Sequence, residues 1–295
     1  MKKLLFIALA IFYSVSLLAQ PKQGLVPDTN VPKTIIKERQ PIPYPHSREA
    51  DIVWSTKLWR VIDLREKLNQ PLYYPTIELQ NRQSLAQALY YAAADGKITV
   101  YDPTDGDEFT TALTSAEVQE KLEIGERTET RRKLDDSGDT TIIIQGTFNW
   151  GEVQELLVKE EWFFDKHYSK MFTRIIGICP IRVFDRELTT DDSQSDEIET
   201  ASGEKVKKQL FWVYYPEARN VLANVACYVS ENEVSQLSFD DLFQIRRFSS
   251  YIVGQSNVMN NRWLSTYTRT GLEAMLESQR IEGEIFNFEH DLWEY

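Results

Sequence analysis

Cysteine and histidine are scarce: in 295 residues there are two cysteines, Cys179 and Cys227, and three histidines, His46, His167 and His290. A disulfide-dense scaffold is therefore excluded, and no pair of histidines has the His-x-x-x-His spacing of a zinc site. Glycine is also sparse, with 12 residues scattered along the chain. No Gly-x-Ser-x-Gly elbow, Gly-x-x-x-x-Gly-Lys phosphate loop or Gly-x-Gly-x-x-Gly turn occurs, so the common hydrolase, nucleotidase and dinucleotide signatures are missing. Basic residues are outnumbered, 33 against 45 acidic, for a formal charge of −12 and a pI near 4.9. Such a surface repels nucleic acid. No apolar run reaches the ~20 residues of a spanning helix.

What remains is a globular composition, 12% aromatic and 26% charged, long enough for one large domain or two small ones. Lys2 and Lys3 precede an apolar or small stretch of 15 residues, Leu4 to Leu18, followed by Ala19 and then polar Gln20, Pro21 and Lys22. The pattern is that of a secretory signal peptide over 1–19, cleaved after Ala19, rather than of a retained anchor. No cysteine follows the stretch where a lipid would be attached. Export permits a Cys179–Cys227 disulfide, and two buried free thiols are the alternative.

Residues 20–50 form an extended, proline-rich arm. Six of the 11 prolines fall between Pro21 and Pro45, ending in Pro41-Ile42-Pro43-Tyr44-Pro45. This composition excludes a helix or a central strand and leaves a loose leader or an arm lying along a neighbouring subunit. Residues 51–295 read as one α+β domain, a strand-rich middle flanked by helices. Helices are expected at 51–69, 84–94, 114–123, 149–159, 238–245, 260–267 and 271–281, and strands at 97–101, 141–145, 161–165, 172–184, 210–215 and 221–229. Thr114-Ser115-Ala116-Glu117 has the form of a capping box, and Ser84 and Ser238 are candidate N-caps. Thr189 to Glu204, acidic and nearly free of large apolar residues, reads as a mobile loop.

No constellation marks a catalytic centre. Cys179 lies in the apolar run Ile175 to Ile181, where burial disfavours a thiolate. Asp102 to Glu108 places four carboxylates around Gly106 but lacks the Asp-x-Asp-x-Asp-Gly order of an EF-hand, which leaves a calcium loop or an ordinary acidic turn. Trp54, Trp59, Trp162, Trp212, Trp263 and Trp293, with several tyrosines, supply more anchors than a core of this size requires, and favour a binding or assembly protein over an enzyme. The run Phe286 to Tyr295 reads as a docked terminal strand or a groove-fitting peptide. Candidate partner-binding residues are therefore Pro41, Pro43, Tyr44 and Pro45 of the arm, Trp54 and Trp59, and Trp293 and Tyr295 at the C-terminus.

The phrases Lys159-Glu160-Glu161-Trp162-Phe163-Phe164-Asp165-Lys166, Arg174 to Ile181, Phe211-Trp212-Val213-Tyr214-Tyr215-Pro216-Glu217-Ala218-Arg219, Ser238 to Ile252 and Glu289-His290-Asp291-Leu292-Trp293 resemble the GldN, or PorN, family of gliding-motility proteins from about Arg48 to Tyr295. The resemblance implies a periplasmic, non-enzymatic subunit of the type IX secretion system of Bacteroidota. Such a subunit would form rings with copies of itself and an outer-membrane lipoprotein, GldK or PorK, and would meet the periplasmic part of the motor protein GldM or PorM. No cofactor and no catalytic residue is implied. A calcium-dependent binding module or hydrolase, and a periplasmic chaperone, are the alternatives.

Overall fold

Two long neighbouring strands organise the molecule. In the computed structural model, which describes residues 35–77, 79, 82–132, 139–146, 148–185, 205–228 and 237–292, β6 (Val153–Asp165) and β7 (Lys170–Asp185) form an antiparallel hairpin paired from Asp165↔Lys170 to Val153↔Arg182. Asp165 sets the turn: its carboxylate accepts the backbone N–H of His167 at 2.8 Å, and Ser169 takes a positive φ of 49°. Burial opposes ionisation of Asp165. The N–H of His167, the Ser47 hydroxyl and the N–H of Tyr168 outweigh it and hold the carboxyl below its ordinary range.

Around this hairpin the sheet grows by antiparallel pairing alone. β1 (Ile52–Asp63) pairs with β6, and β10 (Tyr251–Gln255) with β1. On the far side of β7, β8 (Lys205–Gln209) and β9 (Trp212–Tyr214) share one edge, and β2 (Val100–Tyr101) and β3 (Ala112–Leu113) continue from β9. The path is β10-β1-β6-β7-β9-β2-β3 with β8 on β7, eight strands in all, while β4 (Gly125–Arg132) and β5 (Asp139–Gly146) form a separate ribbon. Seven helices occur among the described residues: α1 (Gln70–Tyr73), α2 (Leu85–Ala94), α3 (Ser115–Lys121), α4 (Tyr215–Leu222), α5 (Phe239–Gln244), α6 (Leu264–Tyr267) and α7 (Gly271–Asp291). The fold is α+β. Ser84, Thr114 and Ser238 each close a capping box, with Gln87, Glu117 and Asp241.

Neighbouring residues of the central strands serve different cores, as the period of two requires. Ile62, Leu156 and Val158 pack with Leu85 and Leu89 of α2, Ala218 and Leu222 of α4, and Phe239 and Phe243 of α5. Val61 and Leu157 pack instead with Trp59, Cys179, Ile181 and Trp212, beside Phe109. Phe109 approaches β7 so closely that a Cβ on Gly177 would sit 2.5 Å from its ring, which reserves that position for glycine. A third core joins Leu58, Ile252 and Leu264 to Ile281 and Ile285 of α7.

Four expectations are corrected. Residues 52–63 and 153–159 are strands rather than helices, the latter running on into the strand expected at 161–165; both lie inside the sheet with residues of either parity buried, which blurs period-two alternation into spacings that imitate a helix. The strand expected at 221–229 gives way to the end of α4 and a turn, with Pro216 in the first helical turn. The run from Phe286 continues α7 to Asp291 instead of forming a strand, because Ser278, Ile281, Ile285 and Phe288 keep a helical stripe toward the core. Of the two alternatives left open for Cys179 and Cys227, the structure has the second, separate buried thiols in different cores; desolvation raises both, Cys227 to about 12. Residues 1–34, the acidic stretch 189–204, Trp293 and Tyr295 lie outside the described residues. Among the described residues no helix is long and apolar enough to cross a membrane.

One buried ionic cluster ties the sheet to the C-terminal helix. Glu160 on β6, 0% exposed, accepts both terminal nitrogens of Arg246 at 3.2 Å and the Trp162 indole N–H at 3.0 Å, with Arg60 Nε of β1 at 3.7 Å. Arg60 in turn donates to Ser250 at 3.1 Å and to Glu282 of α7 at 3.2 Å. Removing the charge takes from Arg246 the carboxylate that holds it and leaves Arg60 to Glu282 and Ser250. The change Glu160→Gln is expected to destabilise the fold by about 3–5 kcal/mol in chemical denaturation, whereas Glu284→Gln, on the exposed side of α7, should change stability by less than about 0.5 kcal/mol.

Candidate interaction surface

The described part of the proline-rich arm lies on the chain's own domain. Ile36 is buried, and Arg39 forms a bidentate pair with Asp241 of α5 at 2.5 and 2.8 Å. Beyond it the arm is extended to Arg48, as its prolines dictate, and having few N–H groups it is held through its carbonyls. Arg219 donates to the Ile42 carbonyl at 2.6 Å, and Arg174 to that of Pro45 at 2.8 Å. Between these anchors the Tyr44 ring faces both guanidinium groups, 4.1 Å from Arg219 and 5.2 Å from Arg174, and its hydroxyl accepts from Gln244 at 3.0 Å.

The seat is rigid because Arg219 is itself fixed. Asp240 accepts from it at 2.9 and 3.1 Å and from the Tyr215 hydroxyl at 2.7 Å, all within the interior. Burial first, and then the Asp240 charge, push the Tyr215 phenol far above its ordinary range, so it remains a donor. Ile42, Pro43 and Pro45 face solvent and Pro41 is half-exposed.

The other sequence candidates divide. Trp59 is 3% exposed and belongs to the core, with its indole N–H on Asp107 at 2.6 Å and the Lys159 ammonium 5.6 Å from its ring. Trp54 is half-buried against Phe288 of α7, ring centroids 4.7 Å apart. In the acidic turn three of the four carboxylates are engaged by the protein: Asp102 by Lys121 at 2.6 Å, Asp105 by Thr111 at 2.5 Å, and Asp107 by Lys159 at 2.8 Å as well as Trp59. The Lys121 ammonium, with the Thr104 N–H, lowers Asp102 to about 2. No group of three or more His, Cys, Asp or Glu suited to a metal ion occurs among the described residues.

Sequence reasoning missed an exposed apolar surface on α7. Leu272, Met275, Leu276 and Phe286 of α7 are 64, 51, 54 and 65% exposed. The signal was in the sequence, as a spacing of four and three residues through Leu272, Leu276, Gln279, Gly283 and Phe286, but the Phe286/Phe288 alternation suggested a strand. In the comparisons, the family model described as "Gliding motility associated protein GldN" matches residues 47–294, most of the chain, so the chain belongs to the GldN family. No curated protein matches it.

Two outcomes follow from this geometry. Tyr44→Ala should free the arm, seen as cleavage by trypsin after Arg39 and Arg48 at least ~10-fold faster than in the parent while the domain stays resistant. Asp102 has a folded-state pKa below its unfolded value, so its stabilising effect is complete above about pH 4 and is lost as pH falls toward 2. In acid titrations Asp102→Asn should remove about 0.5–1 kcal/mol of stability at neutral pH, after allowance for solvent screening, and none near pH 2.

Proposed function

We propose that this GldN-family chain is a non-enzymatic subunit of the type IX secretion and gliding machinery, working in the periplasm after removal of residues 1–19. It assembles with copies of itself and a GldK- or PorK-like outer-membrane lipoprotein into a ring, and transmits movement from a GldM- or PorM-like motor protein of the inner membrane. The observation that carries this reading is the family match across residues 47–294, which makes the chain a gliding-motility component.

Its physical character supports the role. The formal charge is −12, and −14 once the leader with its two lysines is gone. A ring of such subunits repels itself unless a basic partner surface neutralises it, so the lipoprotein is expected to present lysines and arginines. Head-to-tail rings need two different surfaces per subunit. The outward side of the arm at Pro41, Pro43 and Pro45, with Tyr44 as its fixed pivot, is our candidate for one; Trp54, against Phe288, and the C-terminal residues Trp293 and Tyr295 that follow α7 in the sequence are the candidates for the other.

Affinity purification from detergent-solubilised envelopes of the native host, followed by mass spectrometry and negative-stain imaging, should recover one dominant lipoprotein in large rings. Raising salt from ~50 to ~500 mM should weaken that pairing, since the attraction between exposed charges is screened within a few ångströms. Recovery of the chain alone, or with many unrelated clients, would refute the ring reading.

A further inference from the structure

The C-terminal helix carries two seams. At 100° per residue, Ala274, Ser278, Ile281, Ile285 and Phe288 fall on one side at spacings of four, three, four and three, and this side packs on the sheet. Leu272, Leu276, Gln279, Gly283 and Phe286 repeat the same spacings two residues out of phase, which places them about 200° round the helix. Leu272, Leu276 and Phe286, with Met275 beside them, are more than half exposed. A helix with only one face to bury has a polar opposite face; this one has a second apolar stripe.

Gly283 gives an independent indication. A Cβ added there would meet nothing within 4 Å, and its φ is not positive, so neither packing within the chain nor backbone conformation requires glycine. Mid-helix glycine lowers helix stability relative to alanine. At the middle of the outward seam it leaves room for a close approach from outside the chain.

Charge selects what approaches. From Gly271 to Leu292 the helix holds Glu273, Glu277, Glu282, Glu284, Glu289 and Asp291 against Arg280 and His290. On the helical projection Glu282 and Glu289 border one side of the outward seam; on the other Arg280, paired with Glu277 and Glu284, lies next to it with Glu273, Glu284 and Asp291 beyond, and His290 continues the seam itself. A second copy of this helix would bring together the same net negative borders, five carboxylates against one arginine that is already paired. We propose that the outward face of α7 is the docking site for an amphipathic helix of a different protein, one with an apolar seam flanked by lysine and arginine. This inference stands on the helix alone and does not depend on the secretion reading.

The test uses two fluorescent helical peptides with the same leucine and alanine seam, one flanked by lysine and the other by glutamate, titrated against the full folded chain by anisotropy. The lysine-flanked peptide should bind and the glutamate-flanked one should not. Leu276→Glu and Phe286→Glu, at exposed positions that leave the core intact, should each weaken binding at least ~10-fold. Gly283→Leu should raise the thermal midpoint of the chain yet weaken the peptide, a separation that a purely structural role for Gly283 would not produce. Three results would overturn the proposal: failure of the lysine-flanked peptide to bind, equal binding by the parent and Leu276→Glu chains, which would reduce it to attraction by net charge, or a dimer in sedimentation that Leu276→Glu dissolves.

Discussion

The buried carboxylate of Glu160 is the constraint on which the arrangement of the C-terminal half depends. A charge without solvent access must be compensated within the protein, and here two arginines from different parts of the chain converge on it. Arg60 comes from β1, next to β6 in the sheet. Arg246 comes from the segment after α5 and takes a positive φ of 52°, a conformation unusual for a side-chain-bearing residue and kept here by a bidentate hydrogen bond. Because Arg60 also reaches Glu282, the position of α7 is tied to the position of one side chain in the middle of the sheet.

How much of this was legible depended on where each element lies in the sheet. The three N-caps at Ser84, Thr114 and Ser238 were readable because capping is local chemistry, decided within four residues. The long strand β7 was readable from its β-branched and aromatic content. β1 and the first half of β6 were not, since strands buried on both faces lose the alternation that identifies a strand, and Glu155, Lys159 and Glu160 inside β6 look like a helix's polar face until their partners Lys207, Asp107 and Arg246 are seen. Those partners lie 50 to 90 residues away in sequence, beyond any local pattern. At the surface, the arm's extended character was written in its prolines, but its seat on Arg174 and Arg219 is a tertiary fact.

The arm and α7 illustrate two ways of presenting a surface. The arm is held by a few charged groups and an aromatic ring, against a site that is itself fixed by the Asp240–Arg219–Tyr215 contacts. Its inner side is committed and its outer side exposed. The helix is committed through an apolar seam and ionic contacts, and its outer side is apolar as well. A chain of strongly negative charge thus presents an extended, proline-rich surface at one end of its sequence and a helical one with mostly acidic borders at the other. Partners of quite different chemistry can be accommodated without competing for the same residues.

The paired strands β6 and β7 also determine how the domain would respond to being pulled. At about 3.3 Å per residue, strands of 13 and 16 residues run some 40 to 50 Å. Tension directed along them would strain their cross-strand hydrogen bonds together in shear, because in an antiparallel pair those bonds lie perpendicular to the strands. Tension directed across them would open the same bonds one after another from the end, at much lower force. The domain is therefore mechanically anisotropic, stiff along one axis and yielding along another, and the direction of applied force decides which behaviour is seen.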